Sequence, residues 1–150
     1  MTVSTHSLPV AETENPPNWV PILEQPLFKA RKLRLVCIGA GFSGLILAHK
    51  IKHEWKMEDV IDLQIYEKNP DLGGTWYENR YPGAACEEIW EYMKDTAIKW
   101  DLEKFVSFNS RVNETVWDDD KGKWQVKVAK EDETMQDECD VLINASGFLK

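Results

Sequence analysis

The chain has 150 residues, 43% of them hydrophobic and seven of them tryptophan, which predicts one folded domain with a real core. Its net charge of −8 argues against binding to nucleic acid or to an anionic membrane surface, because both require a basic face. Three separated cysteines, no secretory signal pattern and no long apolar run predict a reduced cytoplasmic protein without a membrane span.

The first segment in chain order is rich in proline and lacks any regular apolar period. Residues 1–31 carry five of the seven prolines, which predicts an extended arm with Trp19 and Phe28 as candidate anchors. We therefore expect the folded domain to occupy residues 32–150.

A strand, a glycine turn, a helix and a second strand follow the arm. "LRLVCIG" (33–39) is a continuous apolar run, typical of a strand buried in a parallel sheet. "VIDLQIYE" (60–67) alternates apolar residues and ends at an acid. The apolar positions of the intervening helix recur every three or four residues and are Leu45, Ala48, Ile51 and Trp55. This order predicts a right-handed βαβ unit.

The second half of the chain predicts a loop, a helix, a hairpin and a strand. "PDLGGTWYENRYPGAAC" (70–86) has the turn and aromatic residues of a functional loop. Residues 87–105 read as a helix, and "RVNETVW" and "KWQVKVAK" read as a hairpin around a polar turn. "CDVLINASGF" (139–148) reads as another buried strand. The fold class is therefore α/β: a Rossmann-like, three-layer domain with a hairpin or meander insertion.

The three glycines of "GAGFSG" have the spacing of a dinucleotide-binding turn. Gly39 permits a tight turn, Gly41 lets the backbone approach a pyrophosphate, and Gly44 lets the helix pack closely on the strand. The helix N-terminus then offers unpaired N–H groups to the phosphates. A glycine turn without a ligand is the alternative, but the flanking strand and helix favour the dinucleotide site.

Glu67 ends the second strand, where a carboxylate can accept hydrogen bonds from the ribose hydroxyls of an adenine nucleotide. A 2′-phosphate beside this carboxylate would bring like charges together, so Glu67 disfavours NADP at this site and leaves FAD or NAD. The loop Gly73–Trp76 favours FAD, because its glycines admit a second backbone segment and its indole can border a flavin ring.

The blocks "GAGFSG", "YEKNPDLGGTWYENRYPG" and "DVLINASGF" together resemble the flavoprotein monooxygenases of the Baeyer–Villiger type, especially fungal members. The resemblance implies an enzyme, active in secondary metabolism, that binds FAD in one domain and NADPH in another. Such an enzyme uses O2 to insert oxygen into a ketone through a peroxyflavin. A flavin-containing or N-hydroxylating monooxygenase is the nearest alternative. A non-catalytic nucleotide-binding or interaction module, pairing with a full-length relative, is the alternative from another class.

The resemblance also implies which residues hold FAD. Gly39, Gly41 and Gly44 would bind its pyrophosphate and Glu67 its ribose. Val112 would contact adenine through its backbone, and Ala145 to Gly147 would close the site. The full set of expected cofactor-binding residues is Gly39, Gly41, Phe42, Ser43, Gly44, Glu67, Lys68, Gly74, Thr75, Trp76, Asn79, Tyr81, Val112, Ala145 and Gly147. No catalytic residue is assigned. The family has a catalytic arginine, but neither Arg80 nor Arg111 lies in a motif comparable to that of this arginine, and both read as loop or surface residues.

The chain departs from the family pattern in two places. A tyrosine- and phenylalanine-rich stretch that normally follows "RYPG-x-x-C" is missing after Cys86, and only one G-x-G-x-x-G occurs, so no second loop for NADPH is seen. We therefore expect a shortened, inactive form. His49 and His53 lie one helical turn apart, and without a third ligand they favour a solvated helix face over a metal site.

Overall fold

The computed structural model describes residues 31–79, 81, 85–130 and 133–147. Residues 1–30 of the predicted arm (1–31) and Arg80 lie outside the described residues. Seven strands and three α-helices are present in the described part, with a short π-helical turn and a 3₁₀ turn. Their bounds are β1 Leu33–Ile38, α1 Phe42–His49, the π-helical turn Lys50–Glu54, β2 Ile61–Tyr66, α2 Thr75–Glu78, α3 Cys86–Lys99, the 3₁₀ turn Glu103–Phe105, β3 Val106–Ser107, β4 Ser110–Asp118, β5 Lys123–Lys130, β6 Glu133–Cys139 and β7 Val141–Asn144.

A four-stranded parallel sheet forms the centre of the fold. Its strand order is β3-β2-β1-β7, so the first strand lies inside the sheet with later strands on both sides. In such sheets ligands bind beyond the carboxyl ends of the strands, where the strand order reverses. That point lies between β1 and β7 and carries the glycine loop. The predicted βαβ unit is confirmed.

The domain has three layers, as predicted, and the outer layers differ in kind. On one face of the parallel sheet, Cys37 and Ile65 pack with residues of α1 and α3. On the other face, Val36 and Tyr66 pack against the antiparallel sheet β4-β5-β6. Neighbouring residues along a strand point to opposite faces, so one continuous apolar run serves both cores.

The helix after the glycine loop changes its pitch in its second half. Leu45, Ala48 and Ile51 are buried as predicted, but Trp55 is 49% exposed. After His49 the chain winds as a π-helical turn, Lys50–Glu54, which takes more residues per turn than an α-helix. The expected spacing of three or four residues therefore fails at Trp55, and the prediction that this side chain is buried is wrong.

Helix α3 ends six residues before its predicted end at residue 105, because the chain turns at Asp101. Asp101 has a positive φ of 51°, and its N–H donates to the carbonyl of Ile98 while the N–H of Leu102 donates to that of Ala97. These two bonds form a Schellman cap. The position that Asp101 takes in such a cap usually carries glycine. The carbonyl of Asp101 also accepts from Lys52 Nζ.

The histidine pair lies on a partly exposed helix face and also packs on a tryptophan. The rings of His49 and His53 each lie 5.0 Å from the ring of Trp100, with edge-to-face geometry, and both histidines are half-buried. His53 Nε2 also lies 2.8 Å from the Trp100 carbonyl oxygen. The contact with Trp100 was not predicted from the sequence. In the described ranges, no group of three His, Cys, Asp or Glu residues is placed to hold a metal ion.

The predicted hairpin is confirmed as β4 and β5, and two strand predictions need correction. No strand was predicted at residues 133–139, although a meander was named beside the hairpin; strand β6 adds this third strand by pairing with β5. Strand β7 was expected to be fully buried, but it pairs only with β1 among the described strands, and Val141 is 41% exposed. No helix in the described part of the chain is long and apolar enough to cross a membrane.

Candidate functional site

The glycine loop between β1 and α1 is packed tightly at two of its three glycines. Gly39 has a φ of +103°, and a Cβ there would lie 2.8 Å from the Ala145 carbonyl oxygen. A Cβ on Gly44 would lie 2.2 Å from the Gly39 carbonyl oxygen. Real Cβ atoms do not approach so closely, so both glycines are required by the packing of the protein itself, as the motif predicts for Gly44.

Gly41 differs, because nothing in its own chain excludes a side chain. Its φ is −79°, and a Cβ there would meet only the Gly74 Cα, at an ordinary distance of 3.7 Å. The space above Gly41 is therefore open to the cleft. Gly41 also begins α1, which has no side-chain cap and no acidic residue in its first turn. The first N–H groups of a helix lack partners within the helix, so they are available to an anion.

Glu67 lies at the base of this loop with its carboxylate buried and bound to backbone. Its side chain is 3% exposed; Oε2 accepts from the Ala40 N–H at 2.8 Å and Oε1 from the Asn69 N–H at 2.9 Å. An ionised carboxylate offers about four acceptor positions. One position on each oxygen therefore remains for further donors, as two neighbouring ribose hydroxyls would require.

The second glycine loop closes against the first. The Gly73 N–H donates to the Ala40 carbonyl at 3.0 Å, and Gly74 adopts a φ of +54° with its would-be Cβ 3.2 Å from Gly41. The short helix α2 follows directly, and Trp76 on it is half-buried against the main core. The two loops thus meet at their glycines, and Trp76 stands beside the opening.

These elements enclose one cleft of about 500 Å³ at the carboxyl ends of the parallel strands. Most of the residues expected to bind the cofactor line it. They are Gly39, Gly41, Phe42, Ser43, Glu67, Lys68, Gly74, Thr75, Trp76, Val112, Ala145 and Gly147. Three expected residues do not line it: Gly44 is buried beneath the loop, while Asn79 and the 68% exposed Tyr81 lie outside the lining.

Sequence reasoning missed five residues of the cleft lining. Ser110 and Arg111 come from the start of β4, which is held to the end of β2 by the Ser110 N–H donating to the Glu67 carbonyl at 2.7 Å. Arg111 had been expected to be a loop or surface residue; it is exposed, but it borders the cleft. The other missed residues are Ile38, Tyr66 and Glu78, while Gly73 and Ser146 line the cleft as parts of the two segments that the sequence predicts there.

A polar network ties the two sheets together below the cleft. The Tyr66 hydroxyl donates to Asp137 Oδ2 at 2.7 Å, and the Arg34 guanidinium binds both Asp137 and Asp62. Burial, followed by the hydrogen bond to Asp137, raises the pKa of Tyr66 well above its ordinary value. The phenol therefore stays protonated and keeps donating, which fixes the end of β2 that carries Glu67.

Comparison with known proteins finds relatives for most of this chain. Residues 37–106 match the model of an NAD(P)-binding Rossmann-like domain. The FAD-binding monooxygenase tazF of Aspergillus terreus is 40% identical in a match that covers 83% of this chain and 26% of that protein. A second relative is the Baeyer–Villiger monooxygenase peniC of Penicillium patulum, with 29% identity over 77% of this chain and 22% of that protein.

The solved structures agree with the sequence relatives. The crystal structure of cyclohexanone monooxygenase with bound ε-caprolactone matches with a TM-score of 0.68 and 28% identity, over 79% of this chain and 27% of that one. The predicted resemblance to FAD-binding monooxygenases of the Baeyer–Villiger type is therefore confirmed. The parallel sheet with its glycine loop and meander is thus the fold of the FAD-binding domain of these monooxygenases.

The chain spans about a quarter of the length of the monooxygenases that it matches. The match to tazF runs over 148 positions but contains 83% of 150 residues, about 125. The relative therefore has some 20 more residues inside the matched stretch than this chain has. A segment missing after Cys86, as the sequence predicts, would account for this difference.

Proposed function

We propose that this chain binds FAD in the cleft between the two glycine loops. The open space above Gly41 is the observation that supports the proposal. The surrounding protein would leave room for a Cβ at this position, yet the residue is glycine. A glycine that packing does not require is explained by a ligand that comes close to the backbone. The name of the relative tazF supports FAD as that ligand.

The residues of the cleft suit the parts of FAD in turn. The uncapped first turn of α1 would hold the pyrophosphate, and the free acceptor positions of Glu67 would take the ribose hydroxyls. Val112 would contact the adenine, and Trp76 would lie beside the flavin. Bound FAD supplies the redox chemistry, while the protein binds and orients it.

For the whole protein we propose a monooxygenase that uses NADPH and O2 to insert oxygen into a ketone. The names of peniC and of cyclohexanone monooxygenase support this activity, and the secondary metabolism expected from the resemblance is part of the same proposal.

Replacing Glu67 by glutamine is expected to weaken FAD binding by about 10- to 100-fold. The amide can accept from Ala40 but its NH₂ group cannot accept from Asn69 or from a ribose hydroxyl, and a lost hydrogen bond to a charged group is worth about 1.5–3 kcal/mol. Arginine would be a poorer probe, since it would bury a cation against two N–H groups. The measurement is fluorescence titration of FAD.

The matched control for Glu67→Gln is Glu138→Gln. Glu138 is an exposed carboxylate on β6, paired with Lys121 and outside the cleft lining, so this change removes the same charge elsewhere. We expect its FAD affinity to equal that of the parent chain. Equal FAD affinities for the parent and the Glu67 variant, both folded by circular dichroism, would contradict the assigned role of Glu67.

The 150-residue chain, supplied with FAD and NADPH, is expected to form no lactone from cyclohexanone. A hydride donor must be held against the flavin, and the cleft carboxylate Glu67 disfavours the 2′-phosphate of NADPH. Gas chromatography of the reaction, compared with a no-enzyme control, measures the product. Lactone above that control would show that these 150 residues suffice for the chemistry and would contradict the prediction.

A further inference from the structure

A cluster of charged side chains lies at the mouth of the cleft. Lys68, Glu78 and Arg111 belong to it, and none of them is assigned to a part of FAD in the proposed binding mode. Lys68 directly follows Glu67, and its Nζ lies 2.7 Å from Glu78 Oε1. The Asn69 side-chain N–H donates to the same oxygen at 2.9 Å. Lys68, Glu78 and Arg111 all line the cleft. Two cations and two carboxylates, counting Glu67, therefore meet at the ribose end of the site.

The position of Lys68, directly after Glu67, indicates what this cluster of charged side chains can do. In dinucleotide folds a cation near the carboxylate that ends the second strand is what accommodates a 2′-phosphate. Lys68 and Arg111 are both candidates for that role. Lys68, however, is engaged by Glu78. The pKa of Glu78 is lowered by the hydrogen bond from Asn69, then by Lys68, with a smaller effect of the Arg111 charge, so Glu78 stays ionised at neutral pH.

Building on the proposed FAD site, we propose that Glu78 is a specificity-determining residue that engages Lys68 and thereby excludes 2′-phosphorylated nucleotides from the cleft. Glu67 repels a 2′-phosphate directly. Glu78 pairs with Lys68, one of the two cations that would otherwise compensate for that repulsion, so two carboxylates disfavour the 2′-phosphate. The ligand class favoured is an adenine nucleotide with a free ribose 2′-hydroxyl, such as FAD.

The pair is better explained by discrimination than by stability. The side chains of Lys68 and Glu78 are 46% and 39% exposed, and ion pairs so open to water contribute little to folding. The charges of Lys68 and Arg111 matter more for ligand binding than for folding, because both would face a doubly charged 2′-phosphate within the cleft. Glu78→Gln should therefore leave the fold intact, with its amide oxygen still accepting from Asn69.

The test compares ADP-ribose with 2′-phospho-ADP-ribose as competitors of FAD on the full 150-residue chain. These two probes share the adenosine and pyrophosphate of FAD and differ only in the 2′-phosphate. The parent chain should prefer ADP-ribose. Glu78→Gln should reduce that preference about fivefold at low salt, the size expected for one unit charge acting through water at a few ångströms. The reduction should fade in 1 M NaCl, which screens charges beyond about 3 Å.

Two further variants identify the mechanism. Glu78→Gln combined with Lys68→Met should restore the parent preference, because the released cation is gone. Glu138→Gln, which breaks an exposed pair with Lys121, should leave the preference unchanged. The proposal is overturned if Glu78→Gln leaves the preference unaltered, or if its effect survives the loss of Lys68. Failure of the parent chain to bind ADP-ribose or FAD would instead refute the proposed function and this inference with it.

Discussion

Replacing Gly44 by alanine is expected to destabilise the domain by about 3 kcal/mol, which lowers Tm by about 10 °C for a chain of this size. A Cβ at this position would lie 2.2 Å from the Gly39 carbonyl oxygen. This oxygen belongs to the backbone of the glycine loop, which cannot move away from the helix. The Gly39 N–H is fixed to the Tyr66 carbonyl at 2.8 Å. Thermal unfolding followed by circular dichroism gives the measurement.

Helix propensity makes the expected sign for Gly44→Ala informative. Alanine inside a helix is normally more stable than glycine by about 1 kcal/mol, so a neutral environment would raise Tm. The clash between α1 and its own loop must outweigh this gain for the predicted loss to appear. A Tm equal to or above that of the parent chain would show that the helix does not pack against the loop as described.

Gly41→Ala is expected to do the reverse and leave the fold intact while weakening FAD binding about 30-fold. The added methyl meets only Gly74, at 3.7 Å, and the backbone φ of −79° suits alanine. The methyl would instead occupy the space where a pyrophosphate approaches, and overpacking of this kind costs about 2 kcal/mol. Titration with FAD and a thermal scan on the same sample separate the two effects.

The two glycine variants serve as controls for each other. They lie three residues apart in one motif and add the same methyl group, so the composition of the chain changes alike. An unchanged FAD affinity in Gly41→Ala would mean that the ligand does not approach the first turn of α1. A large loss of Tm in the same variant would mean that Gly41 is required by packing rather than by a ligand.

The parallel core was predictable because its strands carry strong local signals. The run 33–39 is apolar except for Arg34, since β1 is covered on both faces, and residues 60–67 alternate around a buried Leu63 and Ile65. Strand β6 has no such signal: its sequence "ETMQDEC" is mostly polar and exposed, and its backbone pairing with β5 holds it in place. The end of α3 was missed because Asp101 takes a turn position where glycine is expected.

The site was predictable where the motif itself sets the geometry. Gly39, Gly41 and Glu67 reach the cleft through one local unit of strand, turn, helix and strand. Arg111 and Glu78 reach it only through tertiary contacts, because β4 must first dock on the end of β2. From the sequence alone, a charged residue in a strand or a loop is expected at the solvent-exposed surface. The charge balance at the ribose end therefore could not be read from the sequence.

Titration of the purified 150-residue chain with FAD, in competition with NADP, tests the central claim most directly. Quenching of flavin fluorescence should saturate at one FAD per chain. NADP should fail to displace the flavin at equal concentration. No change in flavin fluorescence, or displacement of FAD by NADP, would contradict the account of Gly41 and Glu67.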